Sequence, residues 1–145
     1  MAMNQVTDIV KSFFEDFERS SNTFESDLIA AQFSDSFMAA DPSGNTQVVK
    51  KDEFIAGISK RQAFLQSVGF KSVQIRVLEE KQLDEHYMLV KTQAHMQLEK
   101  NSGMPIEITS NSTYILFTKD DSPKIVFYLT HEKLVEIMQE HGLLT

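Results

Sequence analysis

The stretch Asp41-Pro42-Ser43-Gly44-Asn45 carries the residue types best suited to chemistry in this chain, directly after the apolar run Phe37-Met38-Ala39-Ala40. An aspartate so placed can work in two ways. At the mouth of a pocket its carboxylate is a general base. In a tight turn it accepts backbone N–H groups, while Pro42 presets φ and Gly44 and Asn45 tolerate the left-handed region. Tyr114 and Tyr128 supply hydroxyls that could orient a ligand, and Ser110 and Ser112 share strand alternation with Tyr114. The four histidines, His86, His95, His131 and His141, form no H-x-x-x-H or similar ligand pair, so no metal site is expected. No Gly-x-Ser-x-Gly elbow occurs. The absence of cysteine removes thiolate catalysis, thiolate metal sites and disulfides together.

Two kinds of periodicity position these residues. Val6, Ile9, Val10, Phe13, Phe14 and Phe17 recur at three- and four-residue steps, which predicts an amphipathic first helix. Asn22 with Glu25 three residues on reads as a capping box for a short second helix, with Phe24, Leu28, Ile29 and Phe33 inward. A short strand at 37–40, the Asp41 turn and a strand at 46–49 come next. A third helix is expected from Lys51 to Ser67, stopped by Gly69. The second half then changes period. Met88, Val90, Thr92, Ala94, Met96 and Leu98 alternate with Leu89, Lys91, Gln93, His95 and Gln97, which makes a strand with one apolar face. Strands at 73–78, 105–118 and 124–130 flank it. Turn chemistry at 83–85, 101–103 and 120–123 joins them, so an antiparallel meander is expected. A last helix over 132–141 ends at Gly142.

The 145 residues fit one domain, 1–145, large enough to bury a core without a disulfide or metal staple. A net charge of −7 repels phosphate backbones and anionic lipid, so neither nucleic acid nor membrane is an expected partner. No stretch approaches the roughly 20 apolar residues of a membrane span. Met1 to Gln5 show no signal-peptide pattern, and the expected location is the cytoplasm. The sequon Asn111-Ser112-Thr113 is read as chance on the same ground. The basic pairs Lys50-Lys51 and Lys60-Arg61 read as a solvated face.

The order of two helices, a short hairpin, a helix and four long strands resembles the nuclear transport factor 2-like superfamily, which includes SnoaL-like cyclases and ketosteroid isomerases. The segment LIAAQFSDSFMAADPSGNTQVVKKDEFIAGI carries the resemblance best, and YILFTKDDSPKIVFYLTHE is similar to the final hairpin of that family. The resemblance implies an α+β cone: a curved antiparallel sheet, three N-terminal helices on its concave face and a short C-terminal helix. It also implies that Asp41 occupies the position of the isomerase general base. The two oxyanion donors of those isomerases fall near Phe13 or Phe14, which lack a hydroxyl, and at Thr113, a weaker donor. Losing one such donor costs on the order of 10²–10³ in rate. The departure argues against isomerase activity of that type, though not against proton transfer on an easier substrate.

The leading expectation is a small apolar ligand bound in the cone, lined by Phe13, Phe17, Phe37, Thr113, Phe117 and Tyr128. Any catalysis would be cofactor-free isomerase- or cyclase-like acid–base chemistry, with Asp41 as base. Assembly is expected as a homodimer across the outer sheet face, which bears Leu89, Gln93, His95 and Gln97. The competing expectation is a non-catalytic dimeric interaction module whose cone is closed by its own phenylalanines. An open cavity would favour the first, and a closed core with an apolar outer surface the second.

Overall fold

The computed structural model describes residues 7–100, 103–119 and 122–143. The turn residues 101–102 and 120–121 and the N-terminal residues 1–6 lie outside the described residues. Thr7 opens helix α1 (Asp8–Thr23) as N-cap, its hydroxyl accepting from the Val10 N–H. Val10, Phe13 and Phe14 are buried along one side, as the spacing predicts. The helix stops at Phe24, which has a left-handed φ of 59° and donates its N–H to the Ser20 carbonyl.

Helix α2 (Ser26–Gln32) runs into strand β1 (Phe33–Ala40), and β2 (Thr46–Lys50) pairs back on it. Phe33 therefore begins a strand rather than ending a helix. The expected third helix is two, α3 (Lys51–Ala56) and α4 (Ile58–Ser67), parted at Gly57. Gly57, with ψ near 0°, donates to both the Glu53 and Phe54 carbonyls.

The long strands are β3 (Phe70–Gln82), β4 (Tyr87–Leu98), β5 (Ile106–Phe117) and β6 (Lys124–Thr130), followed by α5 (Leu134–Glu140). They form the expected antiparallel meander. The six-stranded sheet has the order β2-β1-β6-β5-β4-β3, with β1 parallel to β6. It is curved and unclosed, and with its helices makes an α+β cone. Register shifts after Val77 and Ile115 interrupt the ladders, and such bulges bend a sheet.

Asn22 does not cap a second helix. It stays inside α1 and turns to the sheet edge. Its Oδ1 accepts from Val73 N at 2.8 Å, and its Nδ2 donates to Val73 O at 2.9 Å. One turn earlier, Glu18 Oε1 accepts from Ile75 N at 2.6 Å. Helix α1 thus supplies partners to the open edge of β3, which would otherwise present unpaired backbone groups.

The concave face holds two apolar clusters. One gathers Val10, Phe13, Phe14, Phe33 and Phe37 of the N-terminal segments over Met88, Val90, Leu116 and Ile125 of the sheet. The other gathers Leu65 and Val68 of α4 with Leu98, Ile108, Met138 and Leu143.

Candidate functional site

Asp41 sits in the turn after β1 and is tied into it. Its Oδ1 accepts from the N–H of Ser43 at 2.8 Å and of Asn45 at 3.2 Å, and its Oδ2 accepts from Asn45 Nδ2 at 3.3 Å. Partial desolvation pushes the carboxyl up. The hydrogen bonds from Ser43 and Asn45 and the charge of Lys133 outweigh it, and the group lies below the ordinary aspartate value. A carboxylate held in this way is a weaker base than a free one.

The part of the concave face under α1 and β1 is filled. Phe13, Phe17 and Phe37 come together there as expected, with Phe14, Phe33 and Phe54 between them. Their rings touch in a chain of pairs with centroids 4.6 to 6.3 Å apart. Such edge-on and tilted contacts are the favoured aromatic geometries. These side chains close the core on themselves.

The concave face changes character at the edge of this cluster. Thr92, Ser112 and Thr130 are cross-strand partners, and they lay a polar row across β4, β5 and β6 between the two apolar clusters. Ser110 lies on the same face of β5, two residues before Ser112. Tyr114 and Tyr128 border this row. They are direct cross-strand partners with ring centroids 6.1 Å apart. Tyr114 packs on Phe14 and Phe17, and Tyr128 on Phe37. Burial pushes the Tyr114 phenol up to about 12, against a hydrogen bond from the Ser112 side chain and the charge of Arg61. Burial also raises Tyr128, again opposed by Arg61. Both phenols are therefore protonated donors at neutral pH. Among the described residues no protein acceptor takes the Tyr128 hydroxyl proton.

Arg61 is thus the site residue that the basic pair Lys60-Arg61 concealed. Its side chain is exposed, yet its charge acts on both tyrosines. No local pattern in the sequence marks it, because α4 is brought over the sheet by tertiary packing.

Thr113 and Phe117 do not join the concave site. Strand alternation from Tyr114 turns both to the outer face. Thr113 Oγ1 lies 2.8 Å from His131 Nε2, and Phe117 packs on Tyr87 and His86. The expectation placed them by counting along one strand, and one residue of offset moves a side chain to the opposite face.

The outer face has two halves. Gln93, His95 and Gln97 lie there as expected, in a polar network with Thr109, Asn111 and Glu107. The other half is apolar. Met38 and Val48 are cross-strand partners, 41% and 66% exposed, and Phe127, Leu129, Ile115 and Leu89 continue their face. Single exposed apolar residues are ordinary, and a contiguous set is the less common case. Among the described residues, no group of three or more His, Asp or Glu side chains is placed to hold a metal, and no helix is long and apolar enough to cross a membrane.

No protein-family profile and no curated protein sequence matches the chain. Solved structures do. An NTF2-like protein of unknown function from Shewanella oneidensis superposes with a TM-score of 0.67 at 17% identity, over 86% of this chain and 98% of that one. A ketosteroid isomerase-like protein from Erwinia carotovora atroseptica gives 0.64 at 13% identity, over 85% and 92%. A domain of unknown function with a cystatin-like fold from Nostoc punctiforme gives 0.65 at 17% identity, over 94% and 85%. The fold of this chain is that of the NTF2-like and ketosteroid isomerase-like proteins.

Proposed function

We infer that the protein binds a small molecule through a carbonyl or carboxylate oxygen, on the concave face where Tyr114 and Tyr128 stand side by side within electrostatic reach of Arg61. The observation that carries this reading is the Tyr114–Tyr128 pair: two protonated phenols side by side, one with no protein acceptor among the described residues. Two O–H donors beside a cation suit a single oxygen or a carboxylate, and hydrogen bonds to a charged partner are the strong ones. Ser112 and Thr130 supply further polar contacts, and the phenylalanine cluster leaves an apolar wall for the rest of the ligand. The ligand rests beside the phenylalanine cluster rather than within it, because that part of the concave face is occupied by the protein's own rings.

The reading is one of binding rather than catalysis. A general base at neutral pH works best with a value raised toward 7, and Asp41 lies on the other side of its ordinary value. Asp41 is assigned to the turn.

Ligand-observed NMR with a panel of small aromatic carboxylates and matched methyl ketones tests this. Binding is expected for wild type, weakened about tenfold or more in Tyr128→Phe, as loss of a charge-assisted hydrogen bond requires. It is expected to be unchanged in Asp41→Asn. Loss in Asp41→Asn with retention in Tyr128→Phe would overturn the reading and return Asp41 to the pocket.

A second reading is favoured by the outer apolar half around Met38 and Val48: two copies of the chain joined sheet to sheet. Light scattering of wild type and of Met38→Lys/Val48→Glu tests it. A dimer turned monomer supports it, and a wild-type monomer at high concentration rejects it.

A further inference from the structure

Helix α4 carries Arg61 on its sheet-facing side. The buried residues of this helix are Ile58 and Leu65. Arg61 follows the first by three residues and precedes the second by four, which puts all three on one face. That face is turned to the sheet, where Leu65 packs with Leu98 and Ile108. Arg61 nevertheless stays exposed, so its guanidinium is hydrated and open to a partner. Among the described residues it has no ion-pair partner.

The concave face around the tyrosines offers no competing charge. The inward positions of β4 run in steps of two from Met88 to Leu98, and those of β5 from Ile106 to Leu116, and all are uncharged. Tyr128 and Thr130 continue this on β6. The carboxylates of this part of the sheet lie on the outside. Glu107 is joined to Gln97, and Glu132 accepts from the N–H and the side-chain amide of Asn111, both at 2.8 Å. The charge of Arg61 acts on both phenols, no carboxylate does, and Lys133 acts on Asp41 instead. The chain as a whole carries −7, which disfavours anions at its surface. An unpaired cation near two O–H donors, on a face without carboxylates, is a local exception to that field.

We propose that Arg61 is the specificity-determining residue of the tyrosine site, and that it selects a monocarboxylate over the neutral ketone of the same shape. This rests on the reading of Tyr114 and Tyr128 as donors to a ligand oxygen. Both kinds of ligand can accept from the phenols. Only the carboxylate carries the charge that the unpaired guanidinium complements, and hydrogen bonds to an ionised acceptor are the stronger ones.

The probes are hydrocinnamate and benzylacetone, which share a phenylethyl group and differ in carboxylate against methyl ketone. Dissociation constants at neutral pH are measured by ligand-observed NMR, at low and at high salt. Hydrocinnamate is expected to bind wild type about tenfold more tightly. The margin should shrink as salt screens an exposed cation. Arg61→Gln is expected to erase the margin by weakening hydrocinnamate alone. Lys60→Gln, which removes the same charge from the neighbouring position, should leave it intact, and Tyr128→Phe should weaken both ligands. Equal affinities in wild type, a margin that survives Arg61→Gln, or an equal loss in Lys60→Gln would each overturn the role of Arg61 while the tyrosine site stands. Failure of both ligands to bind wild type, or binding of both untouched by Tyr128→Phe, would remove the tyrosine site and the role of Arg61 with it.

Discussion

The side-chain amide of Asn22 makes to Val73 the two hydrogen bonds that the backbone of a neighbouring strand would make, one accepted and one donated. A helix residue thus completes the edge of β3. Replacing Asn22 by alanine leaves both backbone groups of Val73 without that partner. An unsatisfied buried group costs about 1–3 kcal/mol. Asn22→Ala is expected to lower stability by about 2 kcal/mol in urea unfolding. It should also speed hydrogen exchange at Val73 while the centre of β4 stays protected.

Gly69 has a positive φ of 84°, and a Cβ there would come within 2.4 Å of the Glu99 backbone. The same two residues share a hydrogen bond from Glu99 N to Gly69 O at 2.7 Å. Gly69→Ala is therefore both strained and obstructed by backbone, which cannot rotate away as a side chain can. The left-handed conformation alone costs about 1 kcal/mol or more. The substitution is expected to destabilise by about 3 kcal/mol or to prevent folding, whereas Gly44→Ala, at the same φ of 84° but with open space around it, should cost only the conformational strain of about 1 kcal/mol. Thermal melts of the two variants measure the difference.

The Tyr114 phenol links stability to alkaline pH. Its value is raised to about 12 from an ordinary 10.0. A raised value means that the folded state holds the proton more tightly than the unfolded state. The contribution is fully present below pH 10 and is lost as pH climbs from about 10 toward about 12. Wild-type stability should fall across that window, and Tyr114→Phe should fall less steeply. Ultraviolet titration should show a late-ionising tyrosine that is missing from Tyr114→Phe.

Asp41 gives the opposite sign at acid pH. Its folded value lies below the ordinary 3.8, so its contribution is present above that pH and is lost as pH falls through the folded value. Asp41→Asn is expected to be modestly less stable than wild type at pH 7. The gap should narrow as pH is lowered below about 4, as seen in paired melts. A gap independent of pH would mean that the charge of Asp41 does not hold the turn.

Much of this architecture is written in local periodicity. The change from three- and four-residue spacing in the first third to alternation from Val73 onward is a property of neighbouring residues, and it determines which segments coil, which extend and which face of β4 is buried. The Asp-Pro-x-Gly turn is equally local, since its residues bond mainly to one another. What the tertiary structure decided is which side chains meet. Asn22 reads as a helix cap until β3 is laid beside α1. Thr113 and Tyr114 differ by one residue, and the pairing of β5 with β6, interrupted by a bulge, assigns Tyr114 to the concave site and Thr113 to the outer face. Arg61 is an unremarkable surface charge until the docking of α4 brings it within electrostatic reach of Tyr114 and Tyr128. Strand register, bulges and helix docking arise from contacts between residues dozens of positions apart, and no short window of sequence contains them.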